Sequence, residues 1–238
     1  MHRIKCILST ISAAILISST TNGQSEIGDT IRDIDGNIYQ TVKIGNQTWM
    51  AENLKTTKFN DGTPINNINN GQDWNIEVED RETYCWLNFD NGKKDLGAYY
   101  NLNTVLNDKL CPSGWHVPSK EEWNALIEVL GGKEASVAKL MTAEGSRWDL
   151  NKIQPTNESG FSAFPTGFIG CSGLSVADGP SSFYNTDYEA TYWSSSFDDF
   201  LFWSNRIFEV TEHSVFENWI KGTKLIYGGY SVRCIKDQ

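Results

Sequence analysis

Residues 111–132 read CPSGWHVPSKEEWNALIEVLGG and bring together Cys111, His116, Glu121, Glu122 and Glu128. A thiol and an imidazole this close in sequence are the raw material of a nucleophile and its base. Most of the stretch has a plainer physical account. Ser119 followed three residues later by Glu122 is a capping box, in which two side chains satisfy orphan N–H groups at a helix start. Pro118 precedes the cap and can pack on Trp123 as a staple. Trp123, Leu126, Ile127 and Leu130 fall at i, i+3, i+4 and i+7, one apolar stripe of a helix over 119–130. Gly131-Gly132 supplies the left-handed stop. What this leaves over is Cys111, Trp115 and His116.

The elements that must position these residues begin after an unusual N-terminus. MHRIKCILSTISAAILISSTTNGQS has a basic start at Arg3 and Lys5, an apolar run from Ile7 to Ile17, then small and polar residues. That is the build of a secretory signal over residues 1–23, leaving 24–238 as the mature chain. The run is too short and serine-rich to span a bilayer, and no later segment approaches eighteen apolar residues. An exported protein is expected, secreted, periplasmic or on the cell surface. Cys6 lies too early for a lipid anchor. Loss of Arg3 and Lys5 takes the net charge from −10 to −12. Such a chain lacks the basic patch that nucleic acid needs. It also lacks a polybasic membrane-surface segment.

Four cysteines survive processing: Cys85, Cys111, Cys171 and Cys234, separated by 26, 60 and 63 residues. In an exported chain an even number points to two disulfides, with three pairings open. The wide spacings do not suit a zinc cluster.

Within 30–54, Asp35-Gly36 and Gly45-Asn46 are turn signals, and Ile38 to Ile44 alternates as a strand. Asp33, Asp35 and Asn37 are spaced like the opening of a calcium loop. Glycine stands at the fourth place instead of the sixth, however, and no glutamate occupies the twelfth, so a turn is the better reading. Residues 58–80, rich in Asn, Asp and Gly, read as a long surface loop held at Trp74. Residues 84–102 supply aromatic strand pieces. A second, weaker helix is expected over 133–143, with Val137, Leu140 and Met141 on one face. From 146 onward, aromatics scattered among Gly, Ser, Asn and Pro predict short strands between loops. The end reads as a turn at Gly228-Gly229 and a strand in which Tyr230, Val232 and Cys234 share a face. With no repeat and no linker, the coarse order suits one α+β domain.

Several stretches together resemble a known family: DIDGNIYQTVKIGNQTWMAENLKTTKFNDGTPI, YCWLNFDNGKKDLGAYYN, CPSGWHVPSKEEWNAL, SGFSAFPTGF, YWSSS and GYSVRC. In this order they resemble the Fibrobacter succinogenes major paralogous domain, over residues 30–238. The resemblance implies an α+β, C-type-lectin-like fold with two helices, short antiparallel strands and long irregular loops. It also implies a distant relation to formylglycine-generating and sulfatase-modifying proteins. WHVPSKEEW is similar to the helix-entry motif of that superfamily and GGYSVRC to its closing strand. A cysteine near the first helix is commonly tied to the last strand in such folds, which implies Cys111 with Cys234. A bridge closing a loop of that length contributes about 4–5 kcal/mol in the chain-entropy model. Cys85 with Cys171 is then the leftover pair.

With Cys111 bridged, His116 has no thiol to activate, and His213 lies far away in sequence. No G-x-S-x-G elbow surrounds Ser194-Ser195-Ser196. Formylglycine generators use a close cysteine pair near the C-terminal part of the domain, and residues 172–233 hold no cysteine. Gln154-Pro155-Thr156 and Trp203-Ser204-Asn205 echo the calcium–sugar triplets of C-type lectins but lack their carboxylates. Neither a catalytic residue, a metal ligand nor a cofactor is assigned. Trp49, Trp115, Trp123 and Trp193 are read as packing residues. Trp74, Trp148, Trp203 and Trp219 are less determined. The candidate ligand surface comprises Trp203, Trp219, Asp198 and Asp199, on loops between 146 and 226. The expectation is a non-catalytic binding module for a glycan or protein; the alternatives are an enzyme on a sulfatase-modifying-like scaffold and a purely structural surface protein.

Overall fold

The computed structural model describes residues 26–142, 148, 151, 153–170, 179–198, 204–211, 215–221 and 227–238. The signal-like segment lies outside these. Two tight hairpins open the domain. Strands β1 (Glu26–Ile27) and β2 (Ile31–Arg32) lead to β3 (Ile38–Tyr39), β4 (Thr41–Ile44) and β5 (Gln47–Met50). The β2–β3 turn uses Asp35-Gly36 and the β4–β5 turn uses Gly45-Asn46, with Gly36 and Gly45 at φ +86° and +60°. Left-handed backbone at these corners is what glycine admits without a Cβ clash.

Residues 58–80 depart from the expected loop. They hold β6 (Asn66–Asn67) and α1 (Gly71–Glu77), whose N-cap Asn70 accepts from the Asp73 N–H. A seven-residue helix leaves only Trp74 and Gly71 buried, too brief a pattern to read by periodicity. Strands β7 (Thr83–Cys85) and β8 (Tyr99–Tyr100), then α2 (Leu102–Val105) and β9 (Trp115–His116), follow.

Helices α3 (Lys120–Val129) and α4 (Lys133–Leu140) match the predicted pair. The Ser119–Glu122 capping box is fully formed. At the far end of α3 the Gly132 N–H donates to the Ile127 carbonyl at 2.9 Å and the Gly131 N–H to Glu128 at 3.0 Å. This is a Schellman stop, with both glycines at positive φ. Because α1 and α2 are also present, the expectation of two helices is corrected to four among the described residues.

Strands β10 (Phe168–Gly170) and β11 (Ser182–Tyr184) pair with each other, and β12 (Glu189–Asp198), β13 (Ser204–Thr211) and β14 (Val215–Lys221) form an antiparallel meander. At ten, eight and seven residues these last three are longer than the short strands expected there. The chain closes on β15 (Ile235–Lys236). The architecture is α+β.

One five-stranded sheet, in the order β1-β4-β5-β15-β9, divides the interior. On one face Val42, Ile44, Trp49 and Ile235 pack against Trp123, Leu126 and Ile127 of α3, its C-cap Leu130, and Val137 and Leu140 of α4. Trp49 and Trp123 meet with ring centroids 4.7 Å apart. Residues of the opposite parity, Met50, Val117 and Cys234, join Tyr39, Tyr100, Trp193, Tyr230 and Val232 in a second cluster. A third surrounds Trp74 and Cys85. Each large apolar side chain fully buried in these clusters contributes about 1.5–3 kcal/mol.

Arg233 fastens the centre. Its guanidinium is 1 % exposed and lies over the Phe161 ring, 4.5 Å from the centroid. Nε donates to Asn53 Oδ1 at 2.9 Å, Nη2 to the Ser162 carbonyl at 3.1 Å, and Nη1 to the carbonyls of Met50 and Phe161. Burial pushes its pKa below the usual arginine value. A buried cation answered by neutral dipoles ties β5, the 161–162 segment and the approach to β15 at one point. Beside it, Cys111 and Cys234 are disulfide-bonded across a separation of 123 residues.

Candidate functional site

His116, the imidazole nearest Cys111 in the sequence, lies between two carboxylates. Its Nδ1 lies 2.6 Å from Asp237 Oδ1, and its Nε2 lies 2.9 and 3.1 Å from the two Glu122 carboxylate oxygens. The same Glu122 carboxylate accepts from the Ser119 N–H at 2.8 Å and its hydroxyl at 3.0 Å. Burial alone would lower the imidazole pKa; the hydrogen bonds and charges of Asp237 and Glu122 outweigh it and raise it. With a carboxylate at each ring nitrogen, the ring when protonated donates both N–H groups and offers no lone pair to a substrate. The two carboxylates approach opposite ring edges, so they share no centre for an ion. His116 therefore clasps the sheet edge β9, the start of α3 and the C-terminal strand together.

The other chemistry-bearing motifs are also engaged in the fold. The register of β12 with β13 shifts between Trp193 and Phe197, where Ser194, Ser195 and Ser196 stand. Ser196 Oγ accepts from the Lys120 N–H at 2.8 Å, and the Ser195 N–H donates to the Pro118 carbonyl at 2.8 Å. The serines thus fill a bulge that docks on the helix entry and satisfies an otherwise orphan helix N–H. Asp33 accepts from the Asn37 N–H, the Asn37 side chain and the Tyr39 hydroxyl. Asp35 accepts from the Thr57 N–H and hydroxyl and pairs with Lys58. Thr156, of the Gln154-Pro155-Thr156 triplet, donates to the Ala138 carbonyl of α4.

A surface concavity with charged, hydroxyl and indole lining lies on the sheet's second face, away from α3. It is a groove of about 570 Å³. Pairing of Glu26 with Lys43, Lys43 with Thr48 and Lys236 with Trp115 is direct, and Ile235 opposite Trp49 sets Lys236 against Thr48. Glu26, Lys43, Thr48, Lys236 and Trp115 therefore form a single row across all five strands, about 19 Å at ordinary strand spacing. The segment 26–32 walls one side with Asp29 and Arg32. Trp115 packs one part of its ring on the second core cluster and is only partly buried. Its expected role as a packing residue is thus half of what it does. Trp49, Trp123 and Trp193 are fully packed, as are Trp74 and Trp148.

Of the predicted ligand surface, Trp203 and Asp199 lie outside the described residues. Asp198 ends β12 opposite Ser204, and Trp219 lies in β14 opposite Arg206. The Cys111–Cys234 pairing is present. Cys85, expected to pair with Cys171, stands as a free thiol on β7, buried against Trp74, Leu87, Tyr99 and Ile169, and burial pushes its pKa up. Cys171 itself lies outside the described residues. Sequence reading missed the groove because its floor comes from five short strands. Only the polar residues Lys43 and Thr48, outside the buried set of the β4–β5 hairpin, foreshadow it.

The assembled features define a disulfide-closed α+β domain with an open, polar sheet face. Residues 42–236 match the family model of the Fibrobacter succinogenes major domain, and the chain belongs to that family. Neither the curated proteins nor the solved structures include a match.

Proposed function

We propose that this protein is an exported, non-catalytic binding module that holds a glycan in the groove across β1, β4, β5, β15 and β9. The observation that carries this reading is the Trp115 indole standing at the end of a row of Lys236, Thr48 and Lys43. An aromatic face suits the C–H surface of a sugar, while hydroxyl and ammonium groups suit its oxygens. The non-catalytic reading rests on His116, whose two nitrogens are both engaged by carboxylates. Export rests on the signal-like segment 1–23. The C-type-lectin-like assignment rests on the Cys111–Cys234 bridge from the helix approach to the last strand. Among the described residues no helix is long and apolar enough to cross a membrane.

A second surface is favoured by strand register, which sets Asp198 and Trp219 near the same end of the β12–β14 sheet. The test is a glycan array probed with residues 24–238, with calcium and with chelator. Wild type, Trp115→Ala, and Trp203→Ala combined with Trp219→Ala are compared. Loss of binding in Trp115→Ala alone supports the groove. Loss in the double variant alone moves the site to the three-stranded sheet. An array with no binding overturns the glycan reading and favours a protein partner or a structural role.

A further inference from the structure

We infer that the groove selects an acidic glycan, one carrying carboxylate or sulfate groups; this rests on the glycan reading above. The chain is acidic, with net charge −10, and its surface as a whole repels polyanions. The groove departs from that background, with Arg32, Lys43 and Lys236 along its lining. The charges are also ordered. Glu26 and Asp29 stand at the β1 side, where Glu26 faces Lys43 across the strands. Lys236 lies between Thr48 and Trp115, away from both acids. Arg32 Nη1 donates to the Gly36 carbonyl at 2.6 Å, which leaves further guanidinium donors.

Directly opposed residues of antiparallel strands have Cβ atoms about 5 Å apart. A sugar ring stacked on Trp115 therefore brings its substituents beside the Lys236 ammonium. A carboxylate or sulfate there gains a charge-assisted hydrogen bond, and the Glu26–Asp29 side discourages a second acid group in the opposite direction. An acidic peptide is the weaker fit. Peptide recognition on sheets runs through backbone pairing at an exposed edge, whereas this floor is a sheet face whose strands are already paired. The floor offers side-chain hydroxyl, ammonium and indole groups.

The experiment compares neutral, uronate-containing and sulfated oligosaccharides on one array, with poly-glutamate as the peptide arm, at low and high salt. Wild type is set against Lys236→Gln, Lys43→Gln and, as a charge-matched control on α4, Lys133→Gln. Near-UV circular dichroism establishes that each variant is folded. The expected result is that acidic oligosaccharides bind best and weaken with salt. Lys236→Gln is expected to lose about tenfold in affinity, Lys43→Gln less, and Lys133→Gln nothing. Equal binding of neutral sugars that still depends on Trp115 would overturn the charge inference and leave the glycan reading standing. Poly-glutamate binding through the same lysines, without sugar binding, would overturn the ligand class. No sugar binding in any arm would overturn both.

Discussion

The C-terminal segment carries two cations three residues apart, Arg233 just before β15 and Lys236 within it, and they stand in opposite surroundings. Arg233 is closed in, stacked on Phe161 and answered by Asn53 and three backbone carbonyls. Lys236 is exposed on the groove floor, opposite Trp115. Between them Cys234 is bridged to Cys111 and Ile235 is fully buried. One end of this short stretch is spent on holding the domain together, and the other leaves its charge available to a ligand. A stiff, over-determined strand is the kind of support that lets a neighbouring polar row keep its spacing.

Breaking the closed end should have the largest effects. Replacing Cys111 and Cys234 by Ser is expected to cost about 4–5 kcal/mol of unfolding free energy in the chain-entropy model, read by denaturant titration. Arg233→Met removes a buried donor set and leaves carbonyls unanswered, at a cost of about 3–4 kcal/mol. A loss below 1 kcal/mol would mean that the cation is not the central fastening. Ser119→Ala removes the N-cap of α3 and should cost about 1 kcal/mol.

The His116 clasp joins the two ends. His116 points toward α3 while its neighbour Trp115 lines the opposite face, so the clasp holds β9 in the position that presents the indole. The charged groups around it are Asp237, Glu122 and, in the adjoining cavity, Asp108. Its folded-state pKa is raised, so its contribution is complete below the unfolded value of about 6.5 and is lost as pH rises through the folded value. The side chain is 40 % exposed, and solvent screening keeps the effect under about 1 kcal/mol. The stability difference between wild type and His116→Gln should therefore be greatest at acidic pH and shrink toward alkaline pH. A difference that grows with pH would contradict the clasp. Smallest of all is the expected reactivity of Cys85: alkylation in the native state should leave it unlabelled, and unfolding should expose it.

Much of the closed end was legible in the sequence, because it is written in local contacts. The capping box, the glycine stop, the helical stripe and both hairpin turns are interactions among residues a few positions apart. The burial of Tyr230, Val232 and Cys234 in one cluster likewise follows from strand alternation. The bridge to Cys111 came only with the family resemblance, since spacing left three pairings open. The groove could not be read in the same way. Its row draws single residues from positions 26, 43, 48, 115 and 236, and only strand register places them together. Helix α1 was missed because seven polar-rich residues show no repeating face. Cys85 was paired on parity alone, whereas its environment on β7 is apolar and its thiol free.

The open face of the five-stranded sheet is the ligand surface proposed for this protein. Its most direct test is amide chemical-shift mapping of ¹⁵N-labelled residues 24–238, titrated with uronate and sulfated tetrasaccharides. Saturable shifts are expected at Glu26, Lys43, Thr48, Trp115 and Lys236, abolished by Trp115→Ala. Shifts confined to residues 198–221, or none at all, would contradict it.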